Sequence, residues 1–234
     1  MRRPCQPHRW VGALLVLMVI TAGVSAQDKS EKPASIMVPT EQDLVAEINA
    51  ARADPQKYAA ILEQEKKYFS GNEFHPPQRP GFVTNEGLKA VDEAINFLRS
   101  LKPVPTLATV SGMCLAAKDH LKDLQSSGKT GHKGSDGSTT EDRVNRYGNW
   151  MESIGENIAY DAPTAREVVI GWIIDDGLAS RGHRKHLFDP SYRVVGVALT
   201  PLPNSSNMFV ATFAGGFSEK SVAAPPASAV QKKK

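Results

Sequence analysis

Helical patterns come first along this 234-residue chain and strand patterns mostly last, an order that predicts an α+β fold rather than alternating βαβ units. Three observations carry the expectation. Apolar residues recur three and four apart in several early stretches. β-branched and aromatic residues gather at 194–200 and 208–213. Breaks rich in proline, glycine and asparagine separate the periodic segments.

The elements follow in order. Thr40 and Asp43 have capping-box spacing, and Leu44, Val45, Ile48 and Ala51 then repeat as one helical face. Asp54 is a cap and Pro55 an opening residue for a second helix through Tyr58, Ile61 and Leu62. Residues 70–83 hold Pro76, Pro77 and Pro80 and read as a loop. A helix over 85–101 presents Leu88, Val91, Ile95 and Leu98. Pro103 and Pro105 close it. Ser111 is expected to cap a helix whose stripe is Val110, Cys114, Ala117, Leu121 and Leu124. That stripe makes Cys114 a packed small hydrophobe rather than a reactive thiol. Residues 128–140 form a Gly/Ser/Thr loop carrying His132, and a short helix follows at 141–147. A short strand is expected at 154–160, a helix at 164–175, and a helical turn capped by Ser180 through Leu187. Strands at 194–200 and 208–213, separated by Pro203-Asn204-Ser205-Ser206, form a hairpin.

The ends have a different character. Arg2, Arg3 and Arg9, an apolar run over 11–20, and Val24-Ser25-Ala26 read as an export signal over 1–26. The run is shorter than the ~20 residues a membrane span needs. No second such run follows, so no transmembrane segment is expected after cleavage, and the product is expected to be secreted or periplasmic. Residues 27–39 read as a linker and 218–234, rich in Ala, Pro and Lys, as a disordered tail. The chain has 28 Lys+Arg against 25 Asp+Glu, and the signal accounts for the excess of three. A neutral mature chain argues against nucleic acid as a partner. After cleavage Cys114 is the single cysteine, so the domain is expected to be disulfide-free. About 190 residues suffice for one core without covalent staples.

Several motifs bear on chemistry. Ser127-Gly128-Lys129-Thr130 resembles a phosphate loop, but Asp123 stands where that pattern needs glycine. No GxSxG and no HExxH occurs. His183 and His186 are three apart and can share a helical face. For His186 a packing role near Leu187 and Phe188 is the preferred reading. His120, at the edge of a stripe, is read as structural or superficial, and nothing singles out His75. His132 lies in a loop suited to functional side chains. Glu156, between Gly155 and an apolar run, is costly to bury without a partner. Asp175 and Asp176 end an apolar helix at its unfavourable pole and call for compensation by a cation or histidine; a solvated helix end is the even alternative.

Taken together, these residues resemble the CAP superfamily, which includes cysteine-rich secretory proteins, antigen 5, plant pathogenesis-related proteins and bacterial SCP-domain proteins. The matching text is Leu115-Ala116-Ala117, Gly131-His132, Glu141-Asp142-Arg143-Val144, Gly155-Glu156-Asn157-Ile158-Ala159, Trp172 and Gly182-His183-Arg184. It continues through Leu187, Asp189-Pro190-Ser191-Tyr192 and Gly196-Val197. The resemblance covers about 40–217, strongest from 111, and leaves about 68–105 as an insert. It implies an α-β-α sandwich with a central antiparallel sheet between helices. It also implies a cavity with two histidines and two acids, falling on His132, Glu156, His183 and Asp175, with Asp176 a close rival for the last. The disulfide-rich pattern of eukaryotic members is missing.

Three functions follow from that implied cavity. The first is a non-catalytic binding domain for a divalent metal such as Zn²⁺, a small apolar ligand such as a lipid or sterol, or a cell-envelope component. The second is a purely structural histidine–acid tetrad. The third, ranked last, is a metal-assisted hydrolase or peptidase with His183 and Glu156 as acid/base groups. Ser153 has no elbow motif and reads as a strand hydroxyl.

Overall fold

The computed structural model describes residues 39–77, 80–203 and 206–220. The expected signal, most of the linker and nearly all of the tail lie outside the described residues.

Local signals set the first two helices. Helix α1 (Glu41–Ala53) starts where the Thr40 hydroxyl accepts from the Asp43 amide and the Asp43 carboxylate accepts from the Thr40 amide. Asp54 ends α1 and caps α2 (Pro55–Glu65) by accepting from the Lys57 amide at 3.0 Å. The next segment corrects the loop expected over 70–83. Short strands β1 (Phe69–Ser70), β2 (Glu73–Phe74) and β3 (Phe82–Val83) form an antiparallel sheet. Phe69 and Phe82 lie 4.7 and 5.5 Å from Phe74, so cross-strand aromatic contacts support strands too short to persist alone. Helix α3 (Leu88–Ser100) begins later than expected, because Asn85 and Glu86 donate their amides to Asp176 and Gly87 turns the chain at φ 59°.

Beyond β4 (Ala108–Thr109) lies α4 (Ser111–Ser127), where two expectations need correction. Val110 is the N-cap and makes no side-chain cap bond, whereas Ser111 is already helical. The buried face is Met113, Ala116, Ala117, His120, Leu121 and Leu124, while Cys114 is only half-buried. Gly196 explains the rotation. A Cβ there would stand 2.1 Å from the Met113 carbonyl carbon and 2.5 Å from the Cys114 nitrogen. The backbone of α4 therefore lies directly on a strand at that point. Helix α5 (Thr140–Asn145) starts from a second capping box, Thr139 with Asp142.

Strand β5 (Gly148–Ala162) is longer at both ends than expected, and register shifts interrupt its pairing at 151–154 and 159–162. Helix α6 (Ala165–Ile174) is capped by Thr164. Helix α7 (Gly182–Phe188) has Arg181, in the left-handed region, at its N-cap position in place of the expected Ser180. Strands β6 (Val194–Pro201) and β7 (Asn207–Glu219) form the expected hairpin. The sheet order is β4-β6-β7-β5, antiparallel except for the short β4–β6 pair at one edge.

Strand periodicity distributes the core. Phe209, Ala211 and Phe213 of β7, with Val195 and Val197 of β6, pack against α1, α2, α3, α6 and α7. The alternate residues Met208, Val210 and Ala198, joined by Ile158 of β5, pack against α4. Ala214 joins α4 and α5 through Met113 and Val144. Both sheet faces are buried, so the architecture is the α-β-α sandwich. Each buried phenylalanine contributes about 1.5–3 kcal/mol. Arg52, fully buried at the end of α1, donates to the carbonyls of Pro105, Leu187, Asp189 and Tyr192 at 2.6–3.3 Å. Its fixed fork pins the end of α7 to α1. Burial lowers its pKa to about 10, and neighbouring Arg193 adds to the effect.

Candidate functional site

Strand β5 and the loop at 128–139 build one histidine–acid pair. Glu156 is buried. Its Oε1 lies 2.9 Å from His132 Nδ1, and its Oε2 accepts from Arg143 Nη2 at 2.9 Å. Arg143, on α5, also donates to the carbonyls of His132 and Ser138 at 3.1 Å. One guanidinium thus neutralises the acid and holds the histidine loop. The loop has two further ties. Gly131 donates its amide to the Tyr160 hydroxyl at 3.0 Å, and the Gly131 carbonyl faces His120 Nε2 at 2.9 Å. Burial alone would raise the Glu156 pKa. The His132 hydrogen bond and the charge of Arg143 outweigh it, and the carboxyl sits below its ordinary value.

His120, read as structural or superficial, is completely buried, and its Nε2 lies 3.7 Å from Glu156 Oε1. Because a carbonyl only accepts, Nε2 carries the proton facing Gly131, and Nδ1 has no hydrogen-bond partner. Burial lowers the His120 pKa.

Helices α6 and α7 build the second pair. Asp175 ends α6 at φ 54°, which turns its buried carboxylate toward α7. Its Oδ1 lies 2.8 Å from His183 Nδ1, and its Oδ2 accepts from the amides of His183 and Arg184 at 2.9 and 3.4 Å. An acid at the negative pole of one helix is thus compensated by amides that open the next. Asp176 points elsewhere, accepting from the amides of Asn85 and Glu86 at 2.6 and 2.8 Å.

Asn157, which was not singled out from the sequence, joins the two pairs. It is fully buried, donates Nδ2 to the His183 carbonyl at 3.0 Å, and presents Oδ1 to His186 Nδ1 at 2.9 Å. The carbonyl partner fixes the orientation of the amide, so Nδ1 of His186 is the protonated nitrogen. Burial lowers the His186 pKa, and the neighbouring His183 and His132 lower it further. The ring packs 6.1 Å from Tyr192 and 6.4 Å from Phe213, in keeping with a packing role. Gly155 permits the approach, since a Cβ there would stand 2.5 Å from the Tyr192 hydroxyl and 3.0 Å from His186 Nε2. Ser153 bonds Ser191 at 3.0 Å and His75 lies 3.2 Å from Glu73.

This donor arrangement does not match a four-ligand metal site. Each carboxylate oxygen of Glu156 and Asp175 already accepts a hydrogen bond, and both acids orient an imidazole through Nδ1. That leaves two Nε2 atoms, whereas zinc sites use three or four protein ligands. Among the described residues no group of three or more His, Cys, Asp or Glu is placed to hold a metal ion.

His183 and Asp175 also line an open groove of about 300 Å³ between the end of β5 and α6, with Ile158, Tyr160, Val168, Gly171, Trp172 and Leu178 among its walls. Trp172 Nε1 donates to the Ile158 carbonyl at 3.1 Å and fixes the angle of the groove. Two features could have been flagged from sequence. Arg143 lies in Glu141-Asp142-Arg143-Val144, and Gly171 interrupts an apolar helix, where glycine is unfavourable.

Among the described residues no helix is long and apolar enough to cross a membrane. No match was found among curated proteins. Two solved structures are similar. One is an extracellular protein containing an SCP domain from Bacillus anthracis str. Ames, 25% identical with a TM-score of 0.41, over 54% of this chain and 39% of that one. The chain therefore spans about two-fifths of that protein. The other is an outer surface protein from Borrelia burgdorferi, 19% identical with a TM-score of 0.42, over 55% of this chain and 89% of that one. A family model described as "CAP: Cysteine-rich secretory protein family" matches residues 93–213, more than half of the chain. The chain belongs to the CAP, or cysteine-rich secretory protein, family.

Proposed function

We propose that this CAP domain is a non-catalytic binding domain that acts outside the cytoplasm and holds a small, partly apolar ligand in the groove beside His183. Gly171 carries the reading. Glycine inside a helix costs about 1 kcal/mol relative to alanine. Nothing lies within 4 Å of where its Cβ would stand, so packing does not require it. What its missing side chain preserves is open space in the groove. A groove of about 300 Å³ is at the lower end of ligand-site volumes.

The acids act as orienting groups, which favours an organic ligand over a divalent cation. A structural tetrad remains the second reading, because every carboxylate oxygen of the two pairs is engaged within the protein. A hydrolase with Ser153 as nucleophile would need that hydroxyl beside an imidazole, and it is spent on Ser191. One using His183 and Glu156 on water is ranked third, because each imidazole is tied through Nδ1 to its acid.

The test is a titration of the full chain and of Gly171→Phe with a neutral fluorescent apolar dye. Saturable binding by wild type, lost in the variant with no drop in thermal midpoint, supports the groove. Equal binding by both removes it. A parallel zinc titration should show no tight site, and tight binding abolished by His132→Ala with His183→Ala would restore the metal reading. Cell fractionation checks the location, and recovery of the chain in the cytoplasm would overturn that part.

A further inference from the structure

No described residue of 68–105 lines the groove, yet this insert holds the turn that does; the consequence for ligand binding rests on the reading above. The turn from α6 to α7 is bent by left-handed backbone in three places, at Asp175 (φ 54°), Gly177 (φ 77°) and Arg181 (φ 51°). An arginine rarely adopts that conformation, which persists where surrounding contacts over-determine it. The same turn supplies Asp175, Asp176 and Leu178 to the groove wall and leads directly into His183. Its shape therefore sets where that imidazole stands.

The contacts that impose this shape come from the start of α3. Asp176 accepts from the amides of Asn85 and Glu86, and Glu86 Oε1 accepts in turn from the Gly177 amide at 2.9 Å. Arg181 completes the tie. It donates to both carboxylate oxygens of Glu86 at 2.7 and 2.8 Å, to Glu93 Oε2 at 2.7 Å, and back to the Asp175 carbonyl at 2.7 Å. Isolated surface ion pairs contribute little, but the Arg181 side chain is only 11% exposed and its guanidinium forks onto two carboxylates. Gly177 lets the two segments meet, since a Cβ there would stand 2.7 Å from Asn85 Nδ2. A lysine at 181 would supply the charge without the fork.

We propose that Arg181 is a positioning residue through which the insert fixes the α6–α7 turn, and with it the groove wall and the His183 ring. The test compares the full chain with Arg181→Met, Arg181→Lys and Glu86→Gln. One readout is titration with the neutral apolar dye. The other, taken without dye, is the amide proton signals of His183 and Arg184, both of which donate to Asp175 Oδ2. Arg181→Met should weaken dye binding about tenfold, the equivalent of one forked ion pair, and should shift both amide signals. The Gly131 amide, bonded to Tyr160 beside the other pair, should stay in place. Arg181→Lys should restore only part of either effect, and Glu86→Gln should reproduce both at smaller size. A folded Arg181→Met with wild-type affinity and unmoved amide signals would overturn the proposal even at a lower thermal midpoint, because a merely structural tie does no more than that. If Arg181→Met does not fold, Glu86→Gln decides on the same two readouts. Full recovery in Arg181→Lys would overturn the role of the fork. Wild type that binds no dye would remove the groove reading, and the amide signals would still show whether Arg181 holds the turn.

Discussion

At 2.9 and 2.8 Å, His132–Glu156 and His183–Asp175 are nearly the same contact, yet the two acids are supported differently. Glu156 relies on a buried guanidinium from a separate helix. Asp175 relies on two amides eight and nine residues on, at the start of α7. Their histidines differ too. The side chain of His132 is 55% exposed and that of His183 21%. A charge held by another charge fails when its partner goes, whereas a charge held by backbone dipoles keeps its support through any side-chain change.

The largest expected effect follows directly. Arg143→Met leaves Glu156 buried without its counter-charge and should cost about 3–5 kcal/mol, read by urea unfolding. Asp175→Asn keeps one acceptor for the amides and removes a charge that backbone groups had satisfied. It should cost about 1–3 kcal/mol. If the second loss equals or exceeds the first, the comparison is wrong, and the amides of α7 do less than the geometry implies.

Acid titration sharpens the same contrast. The folded-state pKa of Glu156 lies below its ordinary 4.5, so its stabilisation is complete above that value and drains away as pH falls through the folded one. His120 loses earlier. Its folded-state pKa lies below the ordinary 6.5, so an unfolded chain binds that proton first, and stability declines once pH drops under 6.5. Two acid stages are expected. His120→Gln should shrink the upper one, leaving the share of His186, and Glu156→Gln should shrink the lower. A single stage unaffected by either substitution would contradict the assignment.

These details also show what could be read from the chain alone. The caps at Thr40 and Asp54 act over three residues, and three residues of sequence reveal them. The hairpin of β6 and β7 was legible because its pattern is continuous. Positions 132, 156, 175 and 183 came as a set from the family resemblance, and the structure holds them as two hydrogen-bonded pairs. What stayed hidden depends on distant partners. Arg52 is buried because carbonyls more than 130 residues away accept its protons. The place of His120 depends on the Gly131 carbonyl, and the rotation of α4 that half-exposes Cys114 depends on Gly196. The aromatic contacts of 69–83 outweighed prolines that read as loop.

Gly171→Ala is the smallest change and separates the two remaining readings of the second pair. A methyl group there meets nothing within 4 Å, and helix propensity alone favours alanine by about 1 kcal/mol. Thermal stability should therefore rise by a few degrees in a domain of this size. Affinity for the neutral apolar dye should fall a little as the groove narrows. A purely structural tetrad predicts the same gain in stability with no ligand response, because His183–Asp175 lies intact beside the new methyl. Lower stability in Gly171→Ala would mean that the helix needs glycine for its own packing, and the open space beside His183 would no longer call for an occupant.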